Sequence, residues 1–311
     1  MGSTYRTTSQ TINPSFSGHQ TFPFRYTWLK KGVDAVIENP TIFSSEDASV
    51  TLGVGKNMVS SIRHWCKVAG LIETAPRQHG RFVPTDLGET IFGNNNTDGF
   101  DPYLEDPATL WLIHYQIATN IRQATSWYWA FNVLRGNQFT PSIFARDVYK
   151  WAQQKATSIR PVSENTLRRD VNCFLRTYCQ SRHSDTVVEE TFDCPLAELN
   201  LIVELPDSSR YEFQRGSKET LPLEVVTWTL TTFWGSTYAL QGSLSFSHLM
   251  YDPASPGQVF KLDEDTMTTY LEKLGALTDS VLEYDETAGV KEVRGRYELL
   301  DSMALLERYY G

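Results

Sequence analysis

Several things are scarce in this sequence, and each scarcity removes a class of protein. No apolar run in the 311 residues approaches the roughly 18 that a membrane-crossing helix requires, and no basic-then-apolar leader opens the chain. No membrane partner is expected. Only four cysteines occur, Cys66, Cys173, Cys179 and Cys194, without close pairing. That argues against a disulfide framework and for the reducing cytoplasm. With His183 nearby they still lack the compact spacings of zinc sites, so buried thiols are the expected outcome. An excess of positive charge is missing as well, since the net charge is -9. Polyanion binding, however, depends on where the cations lie rather than on their total. Residues 1 to 180 hold 18 Lys+Arg against 14 Asp+Glu, a balance of +4; residues 181 to 311 hold 10 against 23, a balance of -13. The two parts are suited to different partners.

A nucleotide-binding loop is absent too, although "TLGVGKNMVSSIRHWCKVAGLIE", residues 51 to 73, imitates one. The phosphate-cradling loop needs Gly, four residues, then Gly-Lys-Ser/Thr. Val50 stands where the first glycine belongs, and Asn57 replaces the hydroxyl residue. No nucleotide cofactor is expected. A helix fits better: Met58, Ile62, Trp65, Cys66 and Ala69 fall at offsets 0, 4, 7, 8 and 11, one face of a 3.6-residue repeat. The opposite face carries Lys56, Ser60, Arg63 and Lys67, with Asn57 and His64 beside it. Upstream lie a short helix and a tight turn. Downstream come a strand, a tip with Arg77, Gln78, His79 and Arg81, a returning strand and a helix from about Thr85. That order predicts a winged helix-turn-helix, whose recognition helix enters the major groove while the wing touches the flanking backbone. The same test applies to "SENTLRRDVNCFLRTYCQSR": Leu167, Val171, Phe174, Leu175 and Tyr178 repeat the five offsets, and Asn165, Arg169, Asn172 and Arg176 face outward beside Arg168. A second reader of double-stranded DNA or a purely structural helix pair would both produce this pattern.

The fold class expected is α+β, mainly α. Residues 1–15 form a polar arm, and 16–98 the winged helix-turn-helix. Residues 99–236 form a helical domain with a second helix-turn-helix and a hairpin in "LIVELPDSSRYEFQRG"; 237–311 form an acidic helix-hairpin unit turning at Thr287-Ala288-Gly289. "GNNNTDGFDPYLEDP", residues 93 to 107, reads as a linker. The aromatic stripe Trp111, Trp127, Trp129, Phe131 and Trp151 reads as core rather than as a base-stacking platform. The acidic last unit repels phosphates, so it is expected to bind a protein partner or a second copy in a homodimer.

Six stretches, "FSGHQTFPFRYTWLKKGVDAV", "LGVGKNMVSSIRHWC", "ATSWYWAFN", "LRRDVNCFLRTY", "DCPLAELNLI" and "SPGQVFKLDED", resemble the SspB-like family of bacterial DNA phosphorothioate modification systems. The resemblance runs over nearly the whole chain. It implies a DNA-binding component of backbone-sulfur modification and anti-phage defence, working with a cysteine desulfurase and a sulfur-transfer enzyme, and it implies DNA nicking. It transfers no catalytic motif residue by residue.

The chemistry itself is thinly marked. Phosphodiester hydrolysis usually needs carboxylates around Mg or Mn, and the metal ligands are not identified by spacing. Pro206-Asp207 followed by Glu212-Phe213-Gln214 faintly matches a PD-(D/E)xK pattern, but the spacing is short, Gln replaces Lys, and a hairpin explains the residues. Asp263-Glu264-Asp265 suits either a metal or the positive end of a helix dipole. In "FSGHQTFPFR", His19 is a candidate general base and Arg25 a candidate phosphate ligand, because polar groups in aromatic surroundings require partners. His19 capping a buried turn is the competing reading.

Overall fold

In the computed structural model, which describes residues 13–156, 161–179, 194–206 and 208–311, regular structure begins at α1 (Tyr26–Glu38). A 3-10 turn and α2 (Ala48–Thr51) lead to α3 (Lys56–Val68), which packs on α1. Strands β1 (Ile72–Thr74) and β2 (Phe82–Pro84) pair antiparallel, with Glu73 opposite Val83, and α4 (Asp86–Phe92) follows. Thr85 starts α4 because its Oγ1 accepts the Gly88 amide at 3.1 Å. Gly88 is required there for another reason: a Cβ would sit 2.2 Å from the Leu71 carbonyl oxygen.

Residues 93–106 read as a linker from composition, yet they are pinned to α4. The Phe100 and Asp101 amides donate to Thr90 O and Ile91 O at 3.0 Å each. The Asp101 carboxylate, 5% exposed, accepts the Glu105 and Asp106 amides at 2.8 and 3.1 Å. Short polar side chains that favour loops also satisfy backbone amides locally, so composition alone does not separate a linker from a tied loop.

The central part contains α5 (Pro107–Thr119), α6 (Thr125–Asn132), β3 (Gln138–Phe139), α7 (Pro141–Lys155) and α8 (Glu164–Tyr178). Next come β4 (Ile202–Glu204), β5 (Tyr211–Phe213) and α9 (Leu223–Thr237). Four members of the aromatic stripe, Trp111, Trp127, Trp129 and Phe131, are buried as expected, and Trp151 is half-buried. The expected hairpin β4–β5 forms and gains β3 on its other edge, in the order β3-β5-β4. Asp207 of its turn, and His183, lie outside the described residues.

The last part contains β6 (Ser243–Ser245), α10 (Phe246–Tyr251), α11 (Pro256–Val259), α12 (Glu264–Leu271) and α13 (Leu274–Leu277). Strands β7 (Leu282–Thr287) and β8 (Val290–Gly295) then form the second expected hairpin, with β6 on the far side of β8. Its two-residue turn has φ of 53° at Ala288 and 81° at Gly289, the twist that lets two strands return directly. The unexpected α14 (Ser302–Tyr310) packs on α9 and returns to α5, where Tyr310 Oη meets Thr109 Oγ1 at 2.7 Å. Buried apolar residues from Phe16 to Leu306 form one connected cluster across the expected boundaries. The fold is therefore α+β and mainly helical, with small antiparallel sheets, and no described helix is long and apolar enough to cross a membrane.

Candidate nucleic-acid interface

Helix α3 is sided as its periodicity predicts. Ile62, Trp65 and Cys66 are buried together with Val59 and Val68, and Met58 is half-buried against them. Lys56, Asn57 and Arg63 are exposed; Ser60 and Lys67 are half-buried. The Lys67 ammonium lies 5.8 Å from the centre of the Phe82 ring, which ties the end of α3 to β2. Partial burial, then the positive Arg63, lowers the Lys67 pKa. Between the strands, Arg77, Gln78, His79 and Arg81 are all exposed, and Arg77 and Gly80 turn the tip with φ of 58° and 80°.

His64 departs from its expected role as a DNA contact. Its ring packs against His19 and Trp65, with centroids 6.0 and 5.3 Å away, and its buried Nε2 has no hydrogen-bond partner among the described residues. Gly18 makes room for it, since a Cβ there would stand 2.3 Å from His64 Nδ1. Burial above all, then neighbouring positive groups, pushes its pKa down to about 3. At neutral pH His64 is an uncharged packing group, because its angular position on α3 falls between the two faces.

Helix α8 repeats the pattern. Leu167, Val171, Phe174, Leu175 and Tyr178 are buried, whereas Asn165, Arg168, Arg169, Asn172 and Arg176 are exposed. Ser163 caps the helix through the Thr166 amide at 3.1 Å, and Arg168 donates to Asn165 Oδ1 at 3.0 Å. One charged residue breaks the apolar side: Asp170, 1% exposed.

Asp170 is explained by His19. The loop at 17–21, where Gln20 and Thr21 adopt φ of 51° and 69°, lies between α3 and α8. On one side, Ser61 Oγ donates to His19 O at 2.9 Å, and Trp65 Nε1 donates to Phe22 O at 2.8 Å. On the other, His19 Nε2 and Asp170 Oδ1 are 2.8 Å apart, while Asp170 Oδ2 accepts from Ser126 Oγ of α6. The Thr21 amide donates to His19 Nδ1 at 3.0 Å, so that nitrogen carries no proton and Nε2–H is the donor to Asp170. Both ring nitrogens are occupied, and the ring is 2% exposed. The expectation of His19 as a general base therefore gives way to a buried clamp joining the two sided helices. Arg25 precedes α1, with its guanidinium 5.6 Å from the Trp28 ring centre. No hydrogen bond or ion pair among the described residues links it to His19. Asp170, Ser126 and Ser61 were not anticipated, although a lone acid on an apolar helix face is a legible sign of a buried partner.

Among the described residues no three His, Cys, Asp or Glu side chains gather as a metal cage. Asp263 caps α12 through the Thr266 amide at 2.8 Å, and hydrogen bonding from the Thr266 side chain, then from its amide, lowers the Asp263 pKa. Glu212 sits in β5 opposite Val203 and Gln138, and accepts from Asn137 at 3.0 Å. None of the four cysteines forms a disulfide among the described residues; burial raises the pKa of Cys66 and Cys173.

A family model described as "Protein of unknown function (DUF4007)" matches residues 16–310. The chain belongs to this family. Two solved structures of SspB are similar to it. A magnesium ion-bound SspB crystal structure has a TM-score of 0.85 and 28% identity, covering 97% of this chain and 89% of that one. A second SspB crystal structure has a TM-score of 0.84 and 29% identity over the same shares. No curated protein matches. The SspB-like resemblance drawn from the six sequence stretches thus extends to the fold over 97% of this chain.

Proposed function

We propose that this chain is the DNA-binding component of a bacterial DNA phosphorothioation and anti-phage defence system. In this reading residues 16–98 work as a winged helix-turn-helix, with α3 in the major groove and the β1–β2 tip on the flanking backbone. Helix α8, in the helical domain of residues 99–236, is the second reader. The observation that carries the reading is the exposure of Lys56, Asn57, Arg63, Arg77 and Arg81 on one unit, and of Asn165, Arg168, Arg169, Asn172 and Arg176 on the other. The clamp between α3 and α8 holds the two sets at a set separation, which a duplex requires. The acidic residues 237–311 recruit a cysteine desulfurase or a sulfur-transfer enzyme, or pair with a second copy. The setting is the cytoplasm. Binding to a fluorescent duplex tests the wing: Arg77→Ala with Arg81→Ala should lower the log-log salt slope by about 1.8. An unchanged slope removes the wing from the interface.

A second reading adds metal-dependent nicking, with Mg or Mn as cofactor. It is favoured by the magnesium ion in one of the two similar SspB structures. Supercoiled plasmid incubated with the pure protein and either metal should relax to open circles. Intact supercoils under both metals leave a non-catalytic DNA-binding scaffold.

A further inference from the structure

A cleft of about 600 Å3 opens beside the central helices, lined by no residue of α3 or α8. One wall is aromatic: half-buried Tyr128 of α6 and Trp151 of α7 stand nearly parallel, 27° apart with centroids at 6.0 Å, and Tyr251 of α10 lies at the rim. Three cations line it as well: Arg135 after α6, Lys155 at the end of α7, and Arg215 after β5. All three are exposed, and none is in an ion pair among the described residues. Among the described residues no Asp or Glu belongs to the lining, although the Tyr251 hydroxyl donates to the Glu264 carboxylate. The floor is fixed by Asn132, which donates to Ala118 O and Tyr128 O at 2.8 and 2.9 Å and accepts the Ala254 amide at 2.7 Å. The groups left to meet a ligand are rings, positive charges and the Gln258 side-chain amide.

We propose that this cleft binds a nucleotide, with its base against the Trp151–Tyr128 wall and its phosphate among Arg135, Lys155 and Arg215, and that the nucleotide belongs to an unpaired DNA strand. Stacking on an aromatic wall accepts any base, and cations drawn from three separate segments suit a backbone passing through. A free nucleotide offers the same chemistry, but the chain lacks the glycine-rich loop that usually cradles its phosphates. The site is independent of the duplex surface proposed on α3 and α8.

Fluorescence anisotropy with the full chain tests this on labelled dT12, on the same length of abasic strand, and on a labelled duplex. Changing Arg135, Lys155 and Arg215 to Ala should weaken dT12 binding at least tenfold and lower its salt slope by about 2, at roughly 0.7 per phosphate contact. Duplex affinity should stay within about twofold, and the abasic strand should bind about tenfold more weakly than dT12, the loss of stacking. Displacement of dT12 by dTMP or ATP at micromolar concentration, abolished in the variant, would support the site and transfer it to a free nucleotide. Unchanged dT12 affinity in the variant overturns the proposal, as does an abasic strand binding as tightly as dT12. A wild-type chain that fails to bind the duplex but binds dT12 through these three cations would count against the α3–α8 reading alone.

Discussion

His19→Ala is the sharpest test of the clamp between the two sided helices. The substitution removes the Nε2–H that lies 2.8 Å from Asp170 and leaves a carboxylate 1% exposed with Ser126 as its remaining partner. A hydrogen bond to a charged acceptor is worth about 1.5–3 kcal/mol, and stranding a buried ionised group raises the total to about 3–5 kcal/mol. Asp170→Ala should cost a similar amount, because it orphans the imidazole donor. The double variant should cost less than the sum of the two by about 1–3 kcal/mol, the signature of directly coupled partners. Urea unfolding followed by the fluorescence of the eight tryptophans reads all four corners of this cycle. If His19→Ala costs under about 0.5 kcal/mol while abolishing a DNA activity, the clamp is refuted and His19 returns as a chemical group.

Three further outcomes follow from buried groups. Burial holds His64 and His114 at about 3, against 6.5 in an open chain. The unfolded chain therefore takes up protons that the folded one refuses. Stability is intact above pH 6.5 and falls toward pH 3, by about 1.4 kcal/mol per pH unit for each histidine. Urea midpoints at pH 7.5, 5.5 and 4.5 check this, and His114→Gln should make the decline shallower. Lys261, 1% exposed, donates to Phe131 O at 2.8 Å, and burial holds its amine well below the ordinary lysine value. As pH rises toward the unfolded lysine value of about 10.4, the wild type should gain stability relative to Lys261→Met, and parallel curves would contradict it. Gly88→Ala should lower the Tm despite alanine's helix preference, because overpacking against the Leu71 carbonyl costs about 1–3 kcal/mol. An unchanged or higher Tm would show that α4 yields.

The sided helices α3 and α8 were legible because one apolar face and one polar face repeat at 3.6 residues, a local property of each segment. The β7–β8 hairpin was legible through Ala288-Gly289 for the same reason. What stayed hidden depends on distant parts of the chain. His19 stands out in its aromatic segment, but its partner Asp170 is 151 residues away, and no local rule joins them. Helix α14 owes its place to α9 and α5 rather than to a strong period of its own. Residues 93–106 have the composition of a linker and the hydrogen bonds of a tied loop. Trp151 divides an expectation: the rest of the aromatic stripe is core, yet this half-buried ring, stacked on Tyr128, lines a cleft. Trp151 was grouped with the buried tryptophans because sequence spacing does not reveal where a core opens.

The duplex-binding account is tested most directly by the salt dependence of binding to a double-stranded oligonucleotide, with Lys56, Arg63, Arg169 and Arg176 changed together to Ala. These exposed side chains lie on the two outward faces, so their loss should leave the fold intact. It should also lower the log-log slope by about 3.6, at roughly 0.9 per phosphate contact. A slope and affinity equal to those of the wild type would mean that DNA does not meet these faces.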